Sequence, residues 1–193
     1  MREINGTRTA ATNHGLDDQV PDFVPGHATD DLIQGFGGAD ILFGGAGRDT
    51  IIGGFGSDTI FGGADRDILV GGLGDDTFHF AKHDSGPNIW QADTIVDFHA
   101  DQGDEIELGS NSFTSGRQYR ETSIPDSGNH EQNYNLALSF AKSHMGGEVQ
   151  AIFVTDHHDG YLFADIDHNG LVDTGIQLSG LDSITDFSWR NLV

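Results

Sequence analysis

The sequence predicts a mainly β fold: a parallel roll of short strands, followed by a β-rich C-terminal cap carrying one helix. Three observations lead there. Residues 35–79 read as five consecutive nines, GFGGADILF, GGAGRDTII, GGFGSDTIF, GGADRDILV and GGLGDDTFH, and a weaker copy, GHATDDLIQ, occupies 26–34. Asp returns at every ninth position, as Asp31, Asp40, Asp49, Asp58, Asp67 and Asp76. Two places after each stands a large apolar residue: Ile33, Leu42, Ile51, Ile60, Leu69 and Phe78. Self-similarity at a fixed short period is the signature of stacked units.

Each nine has a glycine-rich half and a β-rich half. The glycines suit a tight turn that visits positive φ. The x-apolar-x triplets make very short strands with one inward side chain. Two repeats close one coil of about 18 residues, so repeat n stacks on n+2 at the strand spacing of about 4.8 Å. One column then holds Asp31, Asp49 and Asp67, and the other Asp40, Asp58 and Asp76. Carboxylates stacked this closely repel, and a hard divalent cation between coils removes the conflict. Calcium accepts about six to eight oxygens, backbone carbonyls included, in irregular geometry, whereas magnesium demands an octahedron and keeps its waters. Transition metals want Cys or clustered His, and the repeat offers neither at a fixed position. The pairs Asp31/Asp49, Asp40/Asp58, Asp49/Asp67 and Asp58/Asp76 imply about four Ca2+ ions. Turn glycines complete the candidate set: Gly35, Gly44, Gly53, Gly62 and Gly71 at the first position, and Gly38, Gly47, Gly56 and Gly74 at the fourth. Asp65 takes the fourth position of its repeat and adds a carboxylate. Asp tolerates left-handed geometry better than most residues, so that turn is expected to survive. Phe36 and His27 replace the second glycine and make the first coil less regular.

Composition agrees. The 193 residues include 9 Lys+Arg, 31 Asp+Glu and 28 Gly, with a formal net charge of −22. Such charge opposes compaction, and each bound calcium couples folding to binding. Nucleic acid, which needs a basic surface, is not an expected partner. No membrane span is expected, since no apolar stretch of about 20 residues exists. Without cysteine there is no disulfide scaffold or thiol catalysis. Met1 to Asp30 lacks the apolar core of a cleaved secretion signal.

Taken in order, residues 1–25 read as an irregular lead-in and 26–108 as the roll with its exit strands. FHFAKHDSG reads as a strand leaving the roll. Strands follow at Asp93–Phe98 and Glu105–Leu108, with Asp97 and Asp104 flanking an acidic turn. That pair suits either a further ion or a merely solvated turn. Residues 109–130 are polar and read as a loop. Residues 131–193 form the cap. Within it, the apolar spacing of Glu131 to Met145 predicts an amphipathic helix stopped by Gly146-Gly147, laid over an open sheet face. QAIFVTD, GYLFADI and DTGIQL alternate as strands. Between the last two, Asp165, Asp167, Asn169, Gly170 and Asp173 match the front of an EF-hand loop, but Ile176 stands where its bidentate Glu belongs. Asn-Gly is also a hairpin signal, so turn and partial calcium site both fit.

The repeats resemble the RTX (repeats-in-toxin, haemolysin-type) calcium-binding proteins. DTIVDFHADQGDEIEL after DDTFHF, and GYLFADIDHNGLVDTGIQLSG, resemble segments of serralysin-type protease C-terminal domains. The likeness covers roughly 26–108 and 148–186. It implies a parallel β-roll, calcium on the six repeat aspartates and on carbonyls of Gly35, Gly44, Gly53, Gly62 and Gly71, and a secreted, extracellular or cell-surface bacterial location. It also implies type I secretion machinery as a partner, reading an uncleaved C-terminal signal. Protease members often end in an acid followed by apolar residues. This chain ends Trp189-Arg-Asn-Leu-Val193, with its last acid at Asp186.

No catalytic machinery is expected. His130-Glu131 opens like a zinc-protease helix, but HEQNY lacks the second His of HExxH. No G-x-S-x-G occurs. His157, His158 and His168 lie on loops among acids. The reading is a non-enzymatic calcium-binding protein that folds on meeting external calcium. The alternative is a non-catalytic module for export, folding or polysaccharide binding, belonging to a secreted protease or alginate epimerase.

Overall fold

The computed structural model describes residues 2–3, 12–14, 21–109, 118–181, 185 and 187–193. Mainly β structure is observed, built on two sheets that face each other. The first is six-stranded and holds β1 (Arg2–Glu3), β3 (Asp22–His27), β5 (Ile41–Ala46), β7 (Thr59–Ala64), β9 (Thr77–Phe80) and β11 (Glu105–Leu108), in that order. The second interleaves β2 (Thr12–His14), β4 (Leu32–Gly37), β6 (Thr50–Phe55), β8 (Ile68–Leu73) and β10 (Asp93–Ile95). Pairing within the roll is parallel, with Ile41 opposite Thr59 and Thr59 opposite Thr77. Each coil of the repeats is therefore 18 residues, two nines, as the repeat arithmetic requires.

The β-rich half of each nine alternates its facing, so one residue per strand points inward. Val24, Ile33, Leu42, Ile51, Ile60, Leu69, Phe78, Ile95 and Ile106 line the space between the sheets with no solvent exposure. Burying such a side chain is worth about 1.5–3 kcal/mol. The roll is thus held by a single file of aliphatic and aromatic residues.

The second sheet continues without a break into the cap, in the order β12 (Tyr119–Ser123), β13 (Ala151–Thr155), β14 (Asp159–Ala164), β15 (Thr174–Ser179), then β10. β13, β14 and β15 pair antiparallel, and β15 runs parallel to β10. The cap strands are buried on both faces: Ala151, Phe153 and Leu162 join the roll core, while Ile152, Val154, Tyr161 and Phe163 meet the helix. That helix, α1 (His130–His144), starts at the Asn129 cap, whose side chain accepts the Gln132 N–H at 2.9 Å. It buries Tyr134, Ala137, Leu138 and Ala141, and it ends before Gly146 and Gly147, both at positive φ.

Three boundaries shift from the sequence reading. The roll starts before residue 26, because Asp22 and Val24 repeat the Asp-x-apolar pattern nine residues ahead of Asp31 and Ile33 without any glycine to mark it. The segment 77–80 stays in the roll as β9 rather than leaving it, paired with β7 and β11. The polar loop of 109–130 contains β12, whose mostly exposed side chains hide a strand held by parallel pairing to β13. Residues 110–117 of that loop lie outside the described residues, as do 182–184 and 186 of the C-terminal segment.

Candidate metal centre

At the turns, the repeat aspartates stand in two columns. In one, the N–H of Asp31 donates to Asp49 Oδ1, Asp49 N–H to Asp67 Oδ1 and Asp67 N–H to Asp93 Oδ1, each at 2.8 Å. In the other, Asp22, Asp40, Asp58, Asp76 and Asp104 connect the same way, at 2.7–2.9 Å. All nine side chains are at most 4% exposed. The sequence reading passes over Asp22 and Asp93 and pairs Asp104 with Asp97, whereas the structure joins Asp104 to Asp76. The signal was present: Asp93-x-Ile95 and Asp104-x-Ile106 keep the spacing of Asp to inward apolar residue. They were hidden because the last coils lengthen, with 26 residues between Asp67 and Asp93 and 28 between Asp76 and Asp104.

One carboxylate oxygen per rung is thus consumed by a backbone N–H. The other is not. Asp49, Asp58, Asp67, Asp76 and Asp93 each bury an Oδ2 that no protein group hydrogen-bonds. A buried unpaired carboxylate is among the costliest groups a fold can hold. Those of Asp49 and Asp58 converge with carbonyls in front of first-position glycines. A Cβ on Gly44 would lie 2.4 Å from Asp49 Oδ2 and 2.3 Å from the Gly62 carbonyl oxygen. On Gly53 it would lie 2.3 Å from Asp58 Oδ2 and 2.5 Å from the Gly71 oxygen, and Gly35 meets Asp40 Oδ2 and the Gly53 oxygen, both at 2.6 Å. Gly62 and Gly71 bring a Cβ position 2.5 and 2.4 Å from the Oδ2 atoms of Asp67 and Asp76. Only glycine leaves this space open, and what lines it is oxygen. The donor set fits a hard, oxygen-seeking cation of calcium type.

Burial also sets the protonation of these acids. It raises Asp49 and Asp76 to about 6 and Asp58 and Asp67 to about 7, against an ordinary 3.8. Asp93, more deeply enclosed beside Asp67, is raised to about 9. In each case desolvation outweighs the N–H that the carboxylate accepts. A divalent ion would supply the compensating charge that the protein itself does not.

The turn backbone bears the departures from the repeat. Second-position Gly54 and Gly72 have φ of 116° and 106°, and Phe36 holds the same place at 70°. Fourth-position Gly47, Gly56 and Gly74 have φ of 114–138°, and Gly38 has 122°; Asp65 takes 82° in that place. A non-glycine residue is therefore carried in the left-handed region at both sites, Phe36 at a real steric cost.

Asp97 lies over the last turn of the roll, its two oxygens accepting the N–H groups of Gly71 and Gly72 at 2.9 Å. Its charge acts on both Asp76 and Asp104. The loop between β14 and β15 gathers Asp165, Asp167 and Asp173 with carboxylate oxygens within 4.8 Å of one another. There Asp165 accepts the N–H of Asn169 at 3.0 Å and of Gly170 at 2.7 Å, while Asp173 accepts those of Ile166 and Asp167. Lys82 pairs with Asp167 and, at 3.6 Å, with Asp173. A protein ammonium thus sits against this cluster. Ile176 is a buried core residue of β15.

Stacked oxygen cradles at 18-residue spacing define a cation-binding repeat. The family model for the RTX calcium-binding nonapeptide repeat matches residues 22–51 and 44–78, in four copies. This chain therefore carries RTX calcium-binding repeats over residues 22–78. No curated relative matches the sequence. Among solved structures, the chain is similar to the AlgE6R3 subunit of the Azotobacter vinelandii mannuronan C5-epimerase. The identity is 24%, over 98% of this chain and 83% of that one, with a TM-score of 0.43.

Proposed function

We propose that the protein is a non-catalytic calcium switch of the bacterial exterior. It leaves the cell by a type I route in a loosely ordered state and closes into its roll when it meets external calcium. The observation behind this reading is the series of buried Oδ2 atoms without partners, those of Asp49 and Asp58 sharing the space in front of a first-position glycine with a neighbouring glycine carbonyl. Seven neighbouring aspartate pairs are joined coil to coil, the backbone N–H of one donating to the carboxylate of the next. Four of them are the rungs read from the repeats, and the others add Asp22, Asp93 and Asp104. We assign an ion to each of the four repeat rungs, and further ions to the terminal ones.

Affinity of about 10⁻⁴–10⁻³ M, the range of extracellular modules, would leave the sites empty in the cytosol and filled outside. The test is circular dichroism and small-angle scattering during calcium titration and chelation. With calcium, a radius of gyration of about 16 Å and a β spectrum are expected; in EDTA, expansion toward the unfolded value of about 47 Å. A compact β-structured protein after exhaustive chelation would defeat the switch. Export is tested separately, by deleting residues 182–193 and following secretion through a reconstituted type I exporter.

A further inference from the structure

One corner of the molecule departs from the acidic surface around it. The fifth position of alternate repeats places Asp30, Arg48 and Arg66 on successive coils of one edge. Arg48 pairs with Asp30 at 3.2 Å. Arg66 has no carboxylate partner among the described residues, and its Nε is enclosed without a hydrogen bond. In a chain with 31 acids and 9 basic residues, a guanidinium left over is an exception. Beside it stands Trp90, 70% exposed.

The segment carrying Trp90 is firmly built. Ile89 is buried against the helix with Ala92 and Tyr134. The Tyr134 hydroxyl donates to the Pro87 carbonyl at 3.3 Å, and Asn88 accepts the N–H groups of Trp90, Gln91 and Ala92. With Ile89 fixed inward, its neighbour's ring is held outward. Arg66 and Trp90 together border two adjoining clefts of about 410 and 340 Å³. Asp65, Asp84 and Gln91 line the larger one, and Asn129 the smaller.

We propose that this groove binds a carboxylate-bearing saccharide. The Trp90 ring offers an apolar platform for the C–H face of a pyranose. Asp65, Asp84 and Gln91 offer acceptors for its hydroxyls. Arg66 offers the fork that a sugar carboxylate matches in bidentate fashion. With one guanidinium set beside Asp65 and Asp84, the groove answers a single carboxylate and disfavours the denser charge of a polyphosphate. A neutral sugar would leave the guanidinium unanswered. This assignment rests on the fold and on no particular ion count in the roll.

The test uses the calcium-loaded protein, its fold verified by circular dichroism in the same sample. A short oligouronate is titrated by calorimetry and by tryptophan fluorescence, against a neutral oligoglucose of the same length. Saturable binding of the uronate with a Trp90 fluorescence change is expected. Trp90→Ala and Arg66→Gln should each weaken it about tenfold or more, as truncation of a central aromatic or arginine anchor does. Trp189→Phe should leave it unchanged. No uronate binding by folded protein, equal binding of the neutral oligomer, or wild-type affinity in both groove variants would each overturn the proposal. Failure of the protein to order in calcium would instead count against the switch proposed above.

Discussion

Asp58 shows what one side chain must reconcile. Its Oδ1 accepts the Asp40 N–H, its Oδ2 is buried with no protein partner, and Asp76 and Asp40 press like charge upon it. An Asp58→Asn variant keeps the acceptor and the shape but removes the charge. It should raise the calcium midpoint of folding about tenfold or more, which corresponds to about 1.4 kcal/mol, read by dichroism during titration. An unchanged midpoint would show that this carboxylate holds no ion. The same acids predict a pH response. Their folded values of about 6–7 lie above the ordinary 3.8, so protonation favours the folded form. In metal-free protein this contribution is fully present below 3.8 and lost as pH rises through about 7. Calcium competes for the same oxygens, so its affinity should increase over that window as protons leave. Titrations at acidic and neutral pH check both arms: chelated protein should gain β signal on acidification, and the calcium midpoint should rise. At this scale the sequence was most readable where residue type and spacing coincide. Asp22, Asp93 and Asp104 keep the Asp-x-apolar rule, but Asp22 lacks the glycines, and Asp93 and Asp104 the fixed period, that usually flag it.

Among the elements, the roll strands and the helix were legible for different reasons. Strands β4 to β8 follow from a strict nine-residue period. The helix follows from Tyr134, Leu138 and Ala141 on one face. The parallel strand β12 was not legible, because an edge strand with one buried residue among five has no alternation to read. Nor was the two-sided burial of β13 to β15, which depends on what packs above and below. The joint between helix and hairpin rests on Asp156, 2% exposed. It accepts from the Tyr161 hydroxyl and the Asn133 amide, both at 2.7 Å, and from the N–H groups of His158 and Asp159. Burial raises its pKa, but the accepted hydrogen bonds prevail and hold it below the usual carboxylate range. Asp156→Ala would leave the Tyr161 hydroxyl buried and unpartnered, at about 1–3 kcal/mol. The calcium-loaded protein should then melt about 5 °C or more lower, a shift that scanning calorimetry resolves. A melting point within error of wild type would mean that the helix is fixed by its apolar face alone.

For the molecule as a whole, the decisive feature is the seam where β10 lies between β15 and β8. On one side are antiparallel strands joined by short connections, whose closure costs little chain entropy. On the other are coils whose carboxylates oppose one another until cations arrive. β10 thus presents a finished edge to an unfinished stack, and Asp93 on it supplies the first rung for Asp67. Ordering should therefore run backward along the chain, from the C-terminal end toward the N-terminus, coil upon coil. Hydrogen exchange at rising calcium is expected to protect β13 to β15 first, then β8, β6 and finally β4; simultaneous protection of all coils would contradict this. A chain synthesised from its N-terminus carries its template last. Its stack has nothing to grow upon until the final stretch has been made, a built-in delay that holds off premature structure.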